Sequence, residues 1–83
     1  MSEFYGIVIY MYFSDHGPPH FHAIYAGAEA QIKIEDGGLL AGNLPTTASR
    51  LVRQWATSRR DELFADWDRA QAMQTLLPIE PLR

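Results

Sequence analysis

The sequence predicts a single α+β domain, in which an antiparallel meander of three or four strands precedes a helical segment that packs on one face of the sheet. Residues 4 to 41 alternate apolar with polar residues and contain aromatic residues and glycine-containing turns. Residues 46 to 73 contain no glycine or proline and place apolar residues at helical spacing. The length of 83 residues is that of one domain, so residues 1 to 83 are assigned to it as a whole.

Three segments are predicted to be strands, and a fourth is short. Tyr5 to Phe13 is β-branched, aromatic and apolar on both faces, which favours a central position in a sheet. A loop with two prolines separates it from His20 to Ala26, and Glu29 to Glu35 alternates apolar and polar residues. The turn residues Asp36-Gly37-Gly38 lead into a short strand, Leu39 to Ala41. Because these connections are short, the strands are expected to be antiparallel.

The second half is predicted to be helical from residue 46 to residue 72, with a break or kink near Ser58. Leu51 and Trp55 belong to one apolar stripe, and Leu63 and Trp67 belong to a similar stripe further along the chain. The phase of the two stripes is compatible with one kinked helix or with two helices, and the sequence leaves both open.

Composition excludes several classes of protein. The chain has no cysteine, so it has neither a disulfide framework nor thiolate chemistry, and a reducing cytoplasm is the expected location. Its longest apolar stretch, Tyr5 to Phe13, is too short to span a membrane. The formal net charge of −3 argues against a general nucleic-acid binder. A local basic patch built from Arg50, Arg53, Arg59 and Arg60 keeps a nucleic-acid-binding regulator open as a less favoured alternative.

The segment Asp15-His16-Gly17-Pro18-Pro19-His20-Phe21-His22 contains all three histidines of the chain. His20 and His22 are two residues apart on a predicted strand, so both imidazoles are expected to point to the same side. His16 lies across the proline-containing loop, and either Asp15 or Glu35 could supply an oxygen ligand. This set of nitrogen and oxygen ligands suits a divalent transition metal such as Zn²⁺. The histidines also suit general acid–base catalysis, for example in a ribonuclease.

The favoured interpretation gives the histidines a structural or partner-contact role. If Phe21, Ala23 and Tyr25 pack under the helices, the opposite face of the strand carries His20, His22 and Ile24. Tyr10 and Tyr12 of the preceding strand are expected nearby. A sheet face with this composition is typical of a contact surface for a partner protein or a second copy of the chain.

The chain also resembles a known family in nearly its whole length. The similarity lies in Phe4 to Tyr12, in the string Asp15 to Ala23, in Leu40 to Pro45, in Leu51 to Trp55 and in Arg60 to Leu63. The segments Ile32 to Ile34, Asp66-Trp67 and Ile79 to Leu82 extend it. Together these motifs resemble the small bacterial proteins of the family called domain of unknown function 4160, and Pro-Pro-His-Phe-His is the most specific of them.

The resemblance implies a short bacterial protein, often encoded beside a second small protein of the family called domain of unknown function 2442, in a toxin–antitoxin-like pair. It therefore favours a protein-interaction module over an enzyme. The family pattern also places a histidine before the Arg-x-Glu-Leu segment, where this chain has Arg59. A metal site that depended on that histidine would lack a ligand here.

Overall fold

The chain forms an antiparallel sheet followed by two helices, and the computed structural model describes all 83 residues. In chain order the elements are β1 (Ser2–Phe4), β2 (Ile7–Tyr10), β3 (His20–Tyr25), β4 (Ala28–Lys33), β5 (Leu39–Gly42), α1 (Thr46–Ser58) and α2 (Arg60–Gln71). Neighbouring strands are antiparallel, and their order in the sheet is their order in the chain. The predicted α+β meander is confirmed, with five strands where three or four were expected.

The additional strand is β1, which pairs with β2 through the register Ser2 with Ile9 and Phe4 with Ile7. A two-residue turn joins the two strands, with φ of 50° at Tyr5 and 77° at Gly6. Positive φ at both central residues is the geometry that suits the twist of a tight hairpin. The first predicted strand began at Tyr5, but that residue forms the turn, and a strand of three residues gives too short a pattern to detect.

Strand β5 ends the sheet on the other side and is short and irregular. Its pairing with β4 contains a register shift between Gln31 and Ile32. At its end Gly42 has φ of +72°, and a Cβ there would collide with the carbonyl oxygen of Glu29. Bulges and short length are features that keep a sheet edge from pairing with further strands.

The core lies between the sheet and the helices. Trp55 of α1 is fully buried, and its ring centroid lies 5.8 Å from that of Phe21 and 5.2 Å from that of Phe4. The indole N–H donates to the carbonyl oxygen of Glu80 at 2.7 Å, so this large side chain also has its polar atom satisfied. Phe21 on β3 therefore faces α1, whereas its neighbours His20 and His22 point to the other side of the strand.

The helical segment is divided into two helices at Arg59, where φ is −117° and ψ is 22°. The break predicted near Ser58 is confirmed, and the choice between one kinked helix and two falls on two. Just before the break, the hydroxyl of Ser58 donates to the carbonyl oxygen of Trp55 at 2.9 Å. This side chain competes for a backbone acceptor in the last turn of α1, as serine does at helix ends.

The segment after α2 has no regular secondary structure but is held to the rest of the domain. The backbone N–H of Leu77 donates to the buried carboxylate of Asp66 at 3.0 Å, and that of Ile79 donates to the carbonyl oxygen of Met1 at 3.1 Å. The tail thus lies beside β1 at the edge of the sheet. No helix in the structure combines the length and apolar character needed to cross a membrane.

Candidate metal site

The loop between β2 and β3 folds back over the sheet and is attached to the end of α2. The backbone N–H of Ser14 donates to the carbonyl oxygen of Ala70 at 3.2 Å, and the side-chain amide of Gln71 donates to the carbonyl oxygen of Asp15 at 3.1 Å. Ser14 has φ of 54°, which turns the chain sharply at this point. These contacts place the carboxylate of Asp15 above the histidines of β3.

Three side chains converge at this point. The Oδ2 atom of Asp15 lies 3.0 Å from Nε2 of His20 and 3.2 Å from Nε2 of His22. Candidate ligand atoms of the three residues all lie within 4.8 Å of one another. Both histidines are buried, with 2% and 3% of their surface exposed, whereas the Asp15 side chain remains 24% exposed. The cluster is thus open to solvent mainly on the side of Asp15.

The other ring nitrogens of the two histidines are also engaged. Nδ1 of His20 lies 2.8 Å from the carbonyl oxygen of Pro18, and Nδ1 of His22 lies 3.2 Å from a carboxylate oxygen of Glu29. A carbonyl oxygen only accepts, so the Nδ1 atom of His20 must carry the proton. In a neutral His20 the lone pair is then on Nε2, and it faces Asp15.

This arrangement creates a shortage of positive charge. A lone pair on Nε2 of His20 and a carboxylate oxygen of Asp15 repel each other at 3.0 Å unless a proton or a metal ion lies between them. The problem is repeated at His22, where both ring nitrogens face carboxylate oxygens, those of Asp15 and Glu29. The cluster is therefore satisfied either by additional protons on the imidazoles or by a cation bound among the converging atoms.

The surroundings of Asp15 and Glu29 favour the ionised form of both carboxylates. Partial burial opposes the charge of Asp15, but the hydrogen bonds from His22 and from the backbone N–H of His16, with the nearby charge of His20 and His22, lower the pKa of this carboxyl below its ordinary value. Hydrogen bonds from the hydroxyl of Tyr10 and from His22 lower the pKa of Glu29. Both groups are therefore available as anions near neutral pH.

Aromatic rings surround the histidines. Tyr10 stacks on His22 with ring centroids 5.0 Å apart, and Tyr12 meets the same imidazole edge-on at 4.6 Å. Trp67 of α2 lies 5.2 Å from His20. The hydroxyl of Tyr10 donates to Glu29 at 2.7 Å, and burial, with the contacts to Tyr12 and Glu29, raises the pKa of Tyr10. These rings fix the orientation of both imidazoles.

The structure brings together some of the residues singled out in the sequence and separates others. Asp15, His20 and His22 form the cluster, whereas His16 is exposed and is not part of it. Glu35, the alternative oxygen ligand, is likewise outside the cluster. Arg59, at the position where the family pattern has a histidine, forms an ion pair with Glu62 at 3.2 Å.

The surface predicted to contact a partner is also altered by this burial. His20 and His22 are enclosed, while Tyr12 is 52% exposed and Tyr10 and Ile24 are half-buried. The side chains available to a partner on this face are therefore the tyrosines and Ile24, with the exposed Val8 that pairs with Ile24 in the sheet.

Sequence reasoning missed Glu29 and Trp67 as members of this site. The signal for Glu29 was its place in the β3–β4 hairpin: the register pairs Ile24 with Glu29, which puts Glu29 diagonally next to His22 on the same face. Trp67 carried no such signal, since its contact with His20 depends on how α2 packs against the sheet.

Comparison with known proteins gives one match. No curated protein and no solved structure matches the chain. The model of one family matches residues 6–68, a range that contains the histidine segment, four of the five strands, all of α1 and most of α2. The chain therefore belongs to the family described as Domain of unknown function (DUF4160).

Proposed function

We propose that this protein binds a divalent transition metal ion, with Zn²⁺ as the first ion to test, through Asp15, His20 and His22. The observation that carries the proposal is the direction of the ring nitrogens. In both histidines Nδ1 is engaged by an oxygen acceptor, and both Nε2 atoms converge on Asp15. Histidines that ligate a metal have this pattern, since the second nitrogen donates to a carbonyl or carboxylate that fixes the tautomer.

The distances in the cluster support this proposal. Two ligands of a tetrahedral zinc ion, each about 2.05 Å from the metal, are about 3.3 Å apart. The separations of 3.0 and 3.2 Å between Asp15 and the two imidazoles are close to this value. The ligand atoms of the three residues as a group lie within 4.8 Å of one another, so an ion would draw the two imidazoles together as well as the loop that carries Asp15. One divalent cation would replace the two protons that the imidazoles otherwise need.

The ligand set also favours a reactive site over a purely structural one. Structural zinc sites use four protein ligands, whereas catalytic sites use three and keep a position for water or substrate. Asp15, His20 and His22 are three, and the partly exposed side of the cluster is that of Asp15. A metal-bound water activated for hydrolysis is the chemistry that such a site supplies, and cleavage of RNA is the reaction we would assay first.

Metal analysis and thermal unfolding test the binding proposal. Protein purified without chelator should contain a transition metal in a ratio near one per chain. After removal of the metal, Zn²⁺ at about 100 times its dissociation constant should raise Tm by about 10–20 °C, since that excess stabilises by about 2.7 kcal/mol. The double variant His20→Ala/His22→Ala should lose both effects, whereas His16→Ala, which removes an exposed histidine outside the cluster, should retain them.

Two results would count against this function. Purified protein free of metal, with a Tm that Zn²⁺, Ni²⁺, Cu²⁺ and Fe²⁺ leave unchanged, would remove the metal proposal. Cleavage of single-stranded RNA that persists in the double histidine variant would remove the catalytic one, because the activity would then come from another source. Metal binding without RNA cleavage would leave a metal-binding protein whose reaction is not hydrolysis of RNA.

A second candidate function, an interaction module of a toxin–antitoxin-like pair in the bacterial cytoplasm, is supported by the exposed apolar residues beside the cluster. Val8, Tyr12 and Phe13 are 40%, 52% and 50% exposed and belong to β2 or the residues that follow it. A small domain gains stability by covering such side chains with a partner or a second copy. Size-exclusion chromatography tests this function, once with the protein alone and once after co-expression with the neighbouring gene product. Elution as a free monomer in both experiments would refute it.

A further inference from the structure

A second cavity lies on the opposite side of the sheet from the histidines, between the β4–β5 hairpin and α1. Its volume is about 140 Å³. The floor is apolar, and its lining side chains are those of Ala30, Ile32, Leu39, Leu44 and Val52. The register shift between β4 and β5 lies at this point, so the sheet edge does not close against the helix. An apolar cavity of roughly 150 Å³ accommodates a molecule of the size of benzene.

The mouth of this cavity is cationic. Arg53 and Ser49 line both the apolar cavity and an adjoining depression of about 430 Å³, which Arg50 and Asn43 also line. The Arg53 side chain lies along the β4–β5 turn, where a Cβ added to Gly37 would be 3.8 Å from its Cγ and Nε atoms.

Neither Arg50 nor Arg53 forms an ion pair. Most of the other basic side chains do pair with a carboxylate, namely Lys33, Arg59, Arg69 and Arg83. The nearest acidic group of the turn, Asp36, is engaged by Lys33 at 3.5 Å and by the backbone N–H of Gly38 at 2.7 Å. The chain has a net charge of −3, but two guanidinium groups without an ion pair, that of Arg53 at the cavity and that of Arg50 at the adjoining depression, favour an anion here.

We propose that this cavity binds a small carboxylate whose apolar part is a branched aliphatic group or a single aromatic ring. The apolar part would occupy the space above Val52 and Ile32, and the carboxylate would accept hydrogen bonds from Arg53, with Ser49 beside it. Arginine binds a carboxylate through two parallel N–H donors, which matches a ligand with one planar anionic group. The volume of about 140 Å³ matches a single ring or a branched aliphatic group in size.

The same chemistry occurs in free metabolites and in the last residue of a protein chain. Titrations of ¹⁵N-labelled protein with phenylacetate and with N-acetyl-leucine, each followed by amide shifts, separate these sources. Saturable shifts at Ser49, Val52 and Gly38 are expected for at least one ligand. A clear preference for phenylacetate would identify a free aromatic acid, and a preference for N-acetyl-leucine would identify a chain terminus. Phenylacetamide, which keeps the ring and lacks the charge, should bind at least five-fold more weakly than phenylacetate.

Three variants complete the test. Arg53→Gln should weaken binding of the carboxylate at least five-fold and leave the affinity for phenylacetamide nearly unchanged. Ser49→Leu, which fills the cavity from the first turns of α1, should abolish binding of both compounds while the amide spectrum outside the cavity stays that of a folded domain. Arg60→Gln removes another arginine that forms no ion pair and does not line this cavity, and it should bind like the wild type.

The proposal is overturned if neither carboxylate produces saturable shifts up to tens of millimolar, or if phenylacetamide binds as well as phenylacetate. Equal weakening by Arg53→Gln and Arg60→Gln would also overturn it, since the effect would then reflect net charge and not a site. These outcomes are independent of the metal proposal, because none of the residues of the cavity belongs to the histidine cluster.

Discussion

Replacing Asp15 by asparagine isolates the role of its charge in the histidine cluster. The carboxylate lies 3.0 Å from Nε2 of His20, is hydrogen-bonded to Nε2 of His22 at 3.2 Å and accepts from the backbone N–H of His16 at 2.9 Å. A hydrogen bond to a charged group contributes about 1.5–3 kcal/mol, and the asparagine oxygen retains part of these contacts. Since the carboxylate is 24% exposed, we expect Asp15→Asn to lower the metal-free stability at pH 7 by about 2 kcal/mol.

The same charge determines how the effect depends on pH. The pKa of Asp15 is lower in the folded protein than its ordinary value of 3.8. The ionised form therefore stabilises the fold, fully so above pH 3.8, and this stabilisation is lost as the pH falls through the lowered pKa. Urea unfolding followed by circular dichroism in the presence of chelator, at pH 7 and at pH 2.5, should give a difference between wild type and Asp15→Asn that shrinks at the lower pH.

A matched control is Asp68→Asn, which changes an exposed carboxylate on α2 and should alter stability by less than about 0.5 kcal/mol. The reasoning fails if Asp15→Asn is as stable as the wild type at pH 7. It also fails if the difference between the two proteins grows as the pH falls, because the ionised carboxylate would then be unfavourable in the fold.

Three further predictions concern the surroundings of the site. Because the pKa of Tyr10 is raised, its neutral form stabilises the fold fully below pH 10 and progressively less above it; alkaline denaturation curves of Tyr10→Phe should be flatter above pH 10 than those of the wild type. Trp67→Ala, which removes a buried ring beside His20, should cost about 3–5 kcal/mol in urea unfolding, and Trp67→Phe should cost clearly less. Gly42→Ala should cost about 2 kcal/mol or more, since φ of +72° and the nearby Glu29 carbonyl both oppose a side chain; equal Tm values for this variant and the wild type would contradict the strain.

Much of the fold follows from local patterns in the sequence. The alternation of residues 29 to 35 and the Asp36-Gly37-Gly38 turn predicted the β4–β5 hairpin, and two apolar stripes predicted the helices with a break near Ser58. Strand β1 was not predicted, because three residues are too few to establish a period of two. The turn that follows it contains Tyr5, an aromatic residue of the kind that favours a strand.

Only part of the candidate site could be predicted from local sequence patterns. The spacing of His20 and His22 placed both on one face, as period-two geometry requires. Their burial could not be deduced, because it results from the position of Asp15 and of the aromatic rings around them. That position depends on a hydrogen bond from Gln71, which is 56 residues away in the sequence. Contacts of this range are set by packing and leave no local signal.

The attachment of the Asp15 loop to the end of α2 connects the cluster to the integrity of the whole domain. Two of the proposed ligands belong to the sheet, whereas the third is held in place by Ala70 and Gln71, beyond the part of the chain that the family model matches. A metal ion in this cluster would thus join the first half of the chain to the last helix. Its occupancy would report whether α2 is docked, and fraying of that helix from its carboxyl end would release the ion before the sheet unfolds.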